Sequence, residues 1–271
     1  MIFRVREPAA SLRPFIETFW YHEGLVTPHS MERLLPDGAI ELIIDLTETP
    51  KWWTKGENRS QRFVQRSWIS GQHRRHIVIE SAKNSCMIGA HFRPGGANPF
   101  LDLPLSELND SVVEMELIWH GAIHELRERL LASPSVDERF RLLEQALLCR
   151  AAGRLEPDRP LVYALRQLTS APAETTIRGL ADEIGVTQKR LVRAFQERVG
   201  LKPKTLARIF RFQSVIRKLD LDSRVSWAFI AQDAGYFDQS HFIRDFQSLS
   251  GLNPSQYLVD KGEYLNFLPI H

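Results

Sequence analysis

Apolar positions in the last hundred residues recur at intervals of three and four. Ile177, Leu180, Ala181 and Ile184 make one such stripe, the spacing of a short helix with a single buried face. Gly185 follows where a helix ends in the left-handed conformation that glycine adopts without strain. Thr187 is then placed to cap a second helix by accepting from a free amide of its first turn. That helix buries Leu191, Val192 and Phe195 and turns Gln188, Lys189, Arg190 and Arg193 outward. Gly200 stops it, and Pro203 suits the first position of the next. The pattern then returns: Val225, Phe229, Ile230 and Ala234 precede Gly235, and Asp238 or Phe237 begins an outer helix. In that helix Phe242 and Phe246 are buried, Gln239, Ser240, His241 and Arg244 face out, and Gly251 and Pro254 close it. Ten positions match at an offset of 50 residues up to the glycine and 51 after it, so the repeat carries one inserted residue. Between the units, Leu206 to Leu219 holds no glycine or proline and predicts one continuous helix, a strut between two helix-turn-helix units.

The first half has a different rhythm. Short β-like runs cover Phe15 to Tyr21, Arg33 to Leu35, Ala39 to Leu46, Phe63 to Ile69, His76 to Ile79 and Met87 to Phe92. Pro36-Asp37-Gly38 and Arg93-Pro94-Gly95-Gly96 are sharp turns, with proline presetting one dihedral and glycine supplying a positive one. Spaced strands with such turns predict a small β-barrel or sandwich. Helices are expected at Leu105 to Leu108, Glu114 to Ala132 and Val136 to Ala152, and residues 153–160 read as a linker. The expected fold class is therefore α+β, with a sensor or dimerisation domain over 1–155. An all-α domain over 160–260 follows, and the tail to His271 is expected to pack back on it.

Composition changes this picture only slightly. The chain of 271 residues carries 35 Lys plus Arg against 33 Asp plus Glu. The excess of base lies in the repeat-bearing half, where residues 160–260 hold 14 basic and 10 acidic side chains, as phosphate binding requires. No run approaches the 18 or so apolar residues of a membrane span. The opening MIFRVREPAA lacks the apolar stretch of a signal peptide, so a cytoplasmic protein is expected. Cys86 and Cys149 suit a reducing compartment and read as buried structural thiols rather than a redox switch.

The outward residues carry the candidate chemistry. Arg and Lys donate to guanine O6 and N7, and Gln pairs with adenine N6 and N7 in the major groove. Successive major-groove faces on one side of a duplex lie about 34 Å apart, a distance that a rigid strut could match within one chain. Enzyme chemistry finds less support. His73, His76, Glu80 and His91 do not have the spacing of a cupin metal site, and His120 and His124, at i and i+4, lack the glutamate of a zinc protease. Two isolated cysteines cannot supply the zinc cluster of a DNA-repair methyltransferase, and no Gly-x-Ser-x-Gly is present. No metal, cofactor or catalytic residue is expected. Trp20, Tyr21, Trp52, Trp53, Trp68 and Phe92 either pack the β core or line an effector pocket. Arg33 and Arg93 either hold an anionic ligand or pair with carboxylates. The candidate effector set is Arg33, Trp52, Trp68, His91 and Arg93.

Residues 161–257 resemble the DNA-binding domain of the AraC/XylS family of bacterial transcription regulators. The stretch IAQDAGYFDQSHFIRDFQSLSGLNPSQY is the most telling, departing only mildly at Tyr236 and Asn253. The resemblance implies base contacts from Gln188, Lys189, Arg190 and Arg193 and from Gln239, Ser240, His241 and Arg244, with Thr187 at the edge of the first set. It implies phosphate contacts from Lys204, Ser255 and Gln256. The first half (RLLPDGAIELII, SGQH, IGAHFRPGGANPFLDLPLSELND) resembles an uncharacterised sensor-like domain found ahead of such readers. By analogy with cupin-like N-terminal domains of the wider family, it would bind a small effector or dimerise the protein. Double-stranded DNA is thus the expected partner, with RNA polymerase a further one if the protein activates, and no membrane. An enzyme domain with a DNA anchor is the remote alternative.

Overall fold

The computed structural model describes all residues except 57–59, 82, 222–225, 263 and 271; Val225 and His271 thus lie outside the described residues. Two antiparallel sheets form the N-terminal part. The first has six strands in the order β1 (Ile2–Arg6), β2 (Ile16–Glu23), β9 (Cys86–Phe92), β4 (Ile40–Asp45), β7 (Ser67–Ser70) and β10 (Val112–Glu114). The second has five, in the order β11 (Phe267–Ile270), β3 (Met31–Leu34), β8 (Ile77–Glu80), β5 (Lys51–Thr54) and β6 (Arg62–Val64). Both are open, so the alternatives of barrel and sandwich resolve as a sandwich.

Strand alternation divides the side chains of the first sheet between two cores. Ile40, Leu42, Ile44, Ile88, Ala90 and Phe92 face a layer of helices, α1 (Glu116–Trp119), α2 (Gly121–Ala132) and α3 (Val136–Arg150). Ile43, Trp68 and Met87 face the other way and meet Trp53, Val64 and Ile77 of the second sheet. β4 is buried on both faces for this reason.

Several predicted elements are broken or displaced. The run Phe63 to Ile69 is two strands in different sheets, because Arg66 takes a φ of 64° between them. The helix expected over Glu114 to Ala132 starts as a strand and is interrupted at His120, whose φ is 49°. Leu105 to Leu108 is a 3-10 turn. Cys149 is exposed and Cys86 half-buried, which corrects the reading of two buried thiols. β1, β5, β10 and β11 have no counterpart among the expected strands.

The C-terminal part is helical: α4 (Arg159–Ser170), α5 (Ile177–Ile184), α6 (Gln188–Arg198), α7 (Pro203–Leu221), α8 (Trp227–Asp233), α9 (Gln239–Ser250) and α10 (Pro254–Asp260). α7 is the strut. Its Leu206, Ile209, Phe212, Val215, Ile216 and Leu219 are buried with Leu180, Phe195, Ile230, Phe242 and Phe246 in one core. Leu35 and Leu268, from the two ends of the chain, belong to the same core. The tail thus packs on the helices through Leu268 while its backbone pairs with β3, Phe267 opposite Leu34 and Leu268 opposite Arg33. The expected packing on the helical part is one side of this arrangement; the tail joins both parts.

Buried histidines give the sandwich a pH dependence. His73 is almost fully buried, with Nε2 3.1 Å from Ser70 Oγ and its ring 6.3 Å from that of Trp53. Burial pushes its pKa down to about 4 against the pull of Asp110, and burial does the same to His22, also to about 4. A histidine depressed in the fold contributes stability above its ordinary value of 6.5, and that stability is lost as pH falls from there towards 4. Unfolding free energy measured in urea should therefore decline between about pH 7 and 5, and His73→Gln should make the decline shallower. An unchanged slope in that variant would contradict the assignment.

Candidate nucleic-acid interface

Each unit of the repeat is built by local rules. α5 ends at Gly185 with φ 73°, and Thr187 caps α6 by accepting from the Arg190 amide at 3.2 Å. Gly235 takes φ 72° after α8, and Asp238, one of the two alternatives from the sequence, caps α9 by accepting from the His241 amide at 2.6 Å. Ile177, Leu180 and Ala181 are buried and Ile184 packs partly against them. In α8 the equivalent stripe is Trp227, Ile230, Ala231 and Ala234. Phe229 is not part of it, contrary to expectation. It lies one residue before Ile230, about 100° around the helix, and is 67% exposed. Trp227, 50 positions after Ile177, stacks on Phe242 with ring centroids 6.1 Å apart instead.

The outward residues of both reading helices are on the surface. Thr187, Gln188, Lys189, Arg190 and Arg193 of the first are exposed, as are Gln239, Ser240, His241 and Arg244 of the second. Arg193 Nε donates to Glu197 Oε1 at 2.7 Å, one turn on, and Arg244 Nε to the Ser240 carbonyl at 3.3 Å. Lys204 and Ser255 are exposed; Gln256 is exposed too, but its side chain closes a capping box with Asn253. Gln188 and His241 line one cleft of about 540 Å³, so the amino ends of both reading helices open onto the same space. Arg178, Lys204, Arg208 and Arg211 also line it. The sequence assigned no DNA contact to Arg208 or Arg211. The signal was there, because Lys204, Arg208 and Arg211 stand at i, i+4 and i+7 of α7, one helix face.

The five candidate effector residues are not brought together. Trp68 belongs to the core between the sheets, while His91 keeps to Asp37 and Glu41. Trp52 alternates with Trp53 and so lies on the opposite face of the second sheet, and Arg33 is buried in register with Leu268, towards the helices. Arg93 is exposed and donates from Nε to the Arg13 carbonyl at 3.0 Å. His91 lies 3.7 Å from Glu41 and 3.9 Å from Asp37. Burial alone would lower its pKa, but Glu41, Asp37 and Glu17 outweigh that and raise it to about 9. The histidines considered as metal ligands keep separate company: His73 with Ser70, His124 with Glu116 and His91 with Glu41.

The N-terminal part grips the reading units at several places, of which three stand out among the described residues. The Gly200 carbonyl, just past α6, accepts from Asn109 Nδ2 at 2.8 Å, and a Cβ on Gly200 would fall 2.6 Å from Gln72 Oε1. The Leu249 carbonyl, near the end of α9, accepts from the His76 amide at 2.7 Å, and a Cβ on Gly251 would fall 2.4 Å from the His76 ring. In between, the turn at Gly38 lies against Leu206 and Phe210 of α7, and Gln213 Nε2 donates to the Pro36 carbonyl and to Asn266 Oδ1 at 2.8 and 2.9 Å.

Two capped helices presenting polar amino ends beside a basic cleft, on units joined by one strut, define a double helix-turn-helix protein. Residues 180–259 match the family described as a helix-turn-helix domain, and residues 4–114 match a domain of unknown function (DUF6597). The C-terminal part is thus similar to AraC-type helix-turn-helix domains, and the part before it to that uncharacterised family. An uncharacterized HTH-type transcriptional regulator of Haemophilus influenzae is 30% identical over 117 residues, 43% of this chain. The chain spans only 37% of that relative's length. ToxT from Vibrio cholerae is similar in structure with a TM-score of 0.46, 11% identity and coverage of 96% of this chain and 98% of that one. The AraC-like transcriptional activator CuxR has a TM-score of 0.24, 16% identity and coverage of 76% and 73%.

Proposed function

We propose that the protein is a sequence-specific, DNA-binding transcription regulator whose two reading helices enter neighbouring major grooves on one face of the duplex. The observation that carries this reading is the shared cleft: Gln188 and His241, at the starts of the two helices, line one basic opening. Gln188, Lys189, Arg190, Arg193, Gln239, Ser240, His241 and Arg244 would read bases, with Thr187, Lys204, Ser255 and Gln256 on the backbone. Arg190→Ala should weaken specific binding by about 1–3 kcal/mol and relax the preference at one base pair. Footprinting and titration on a selected duplex measure both. An unchanged footprint and affinity would reject this placement of α6.

The N-terminal part would carry the control, by binding a small effector or a partner. The three grips on α6, α7 and α9 support this, since a change in the sandwich would reach both reading helices. A metabolite panel tests it by thermal shift. A concentration-dependent dimer with no shift would favour a part that only dimerises. RNA polymerase enters as a partner if the protein activates.

A further inference from the structure

When two helices of one rigid unit occupy consecutive major grooves on one side of a duplex, the minor groove between them faces the protein. Here the space that would face it is the cleft. Four cationic side chains line this space, Arg178, Lys204, Arg208 and Arg211, against one carboxylate, Asp245. Arg178 is 88% exposed, and its nearest carboxylate, Asp182, is 3.9 Å away at the surface. Lys204 is exposed. Arg208 is held by Asp245, which also accepts from Tyr236 Oη at 2.9 Å. Arg211 lies over the Tyr236 ring at 5.1 Å, and its buried Nε has no hydrogen-bond partner among the described residues. Arg208 and Arg211 are thus held in place at the cleft wall before any ligand arrives, while Arg178 and Lys204 are free to reach.

We infer that this cleft is a second recognition site, one that takes the phosphodiester backbone flanking the intervening minor groove and so reads the width of that groove. The inference rests on the DNA-binding reading and extends it to base pairs that no reading helix touches. A narrow minor groove concentrates negative potential and attracts Arg and Lys, and A·T-rich steps adopt it more readily than G·C steps. Affinity should therefore depend on the sequence of the spacer as well as on the two half-sites.

The test uses the full-length protein and a duplex selected from a random library, with the spacer then rebuilt as A·T, G·C or inosine·C pairs. Inosine·C presents the minor groove of A·T and a major groove close to that of G·C, so it separates groove shape from base contacts. We expect A·T and inosine·C spacers to bind alike and about 5-fold or more tighter than G·C. The double variant Arg178→Gln, Lys204→Gln should bring the three spacers within about 2-fold of each other. It should also reduce the slope of log affinity against log salt by about 1.8, two phosphate contacts. Lys189→Ala, on the reading face, should alter half-site preference and keep the spacer preference. Equal binding to all spacers, inosine·C ranking with G·C, or a spacer preference that survives the double variant would each overturn the cleft's role while leaving DNA reading intact. Failure to select any duplex would instead overturn the DNA-binding reading itself.

Discussion

Phe246→Ala lowers the free energy of unfolding of the reading domain by about 3–5 kcal/mol, the range for emptying a fully buried aromatic site. Phe246 has no exposed surface, and its ring centroid lies 5.0 Å from that of Phe212, 5.8 Å from Phe242 and 5.6 Å from Tyr257. These partners come from the strut, from Phe246's own helix and from α10, so one side chain holds three elements together. The residues around it are large and aromatic, and they cannot all move in to fill the space. Phe237→Ala is the control. That side chain is 94% exposed at the turn before α9, and its removal should change stability by less than about 0.5 kcal/mol. Denaturant unfolding followed by tryptophan fluorescence, through Trp227 stacked on Phe242, reads the difference. A loss below about 1 kcal/mol for Phe246→Ala would contradict this core.

Leu268→Ala should cost about 2–5 kcal/mol and should loosen the joint between the two parts of the chain. Leu268 is fully buried in the core of the reading domain, while the strand that carries it pairs with β3 of the sandwich. Beside it the Leu35 amide donates to the Asn266 carbonyl at 2.9 Å, and Asn266 Oδ1 accepts from Gln213 of the strut. Truncating one leucine therefore weakens a sheet edge and a helix contact together. Amide exchange should rise in β3 and at Leu35 while the far side of the sandwich, β1 and β2, stays protected. Exchange that rises uniformly, or only within the helices, would show that the tail does not link the two parts.

The reading units were legible because they obey local rules. Glycines at 185 and 251, the cap at Thr187 and the apolar stripe of α5 follow from helix periodicity and from the conformations that only certain residues tolerate. The uninterrupted strut followed from the same rules. Phe229 misled because an apolar residue beside a stripe looks like part of it until the helix phase is fixed, and the phase came from Trp227 packing on Phe242. In the sandwich, period-two runs marked most strands but could not say which sheet each joins. Phe63 to Ile69 reads as one strand, and only the turn at Arg66 sends its halves to different sheets. The candidate effector residues diverged for the same reason: alternation puts Trp53 inside and Trp52 outside, a choice that register alone makes.

By itself the sequence determined the duplicated unit, its caps and stops, the strut and the polar residues on the two outer helices, because each depends on neighbours within a few turns. Tertiary structure alone decided that Lys204, Arg208 and Arg211 meet Arg178 across one cleft. It also decided that the sandwich touches the strut at Gly38 and the ends of the reading helices at Gly200 and Gly251, and that the last strand joins both parts. Those contacts lie between residues from dozens to more than two hundred positions apart. Their partners are selected by shape and burial once the two cores have formed, and no local pattern along the chain encodes them.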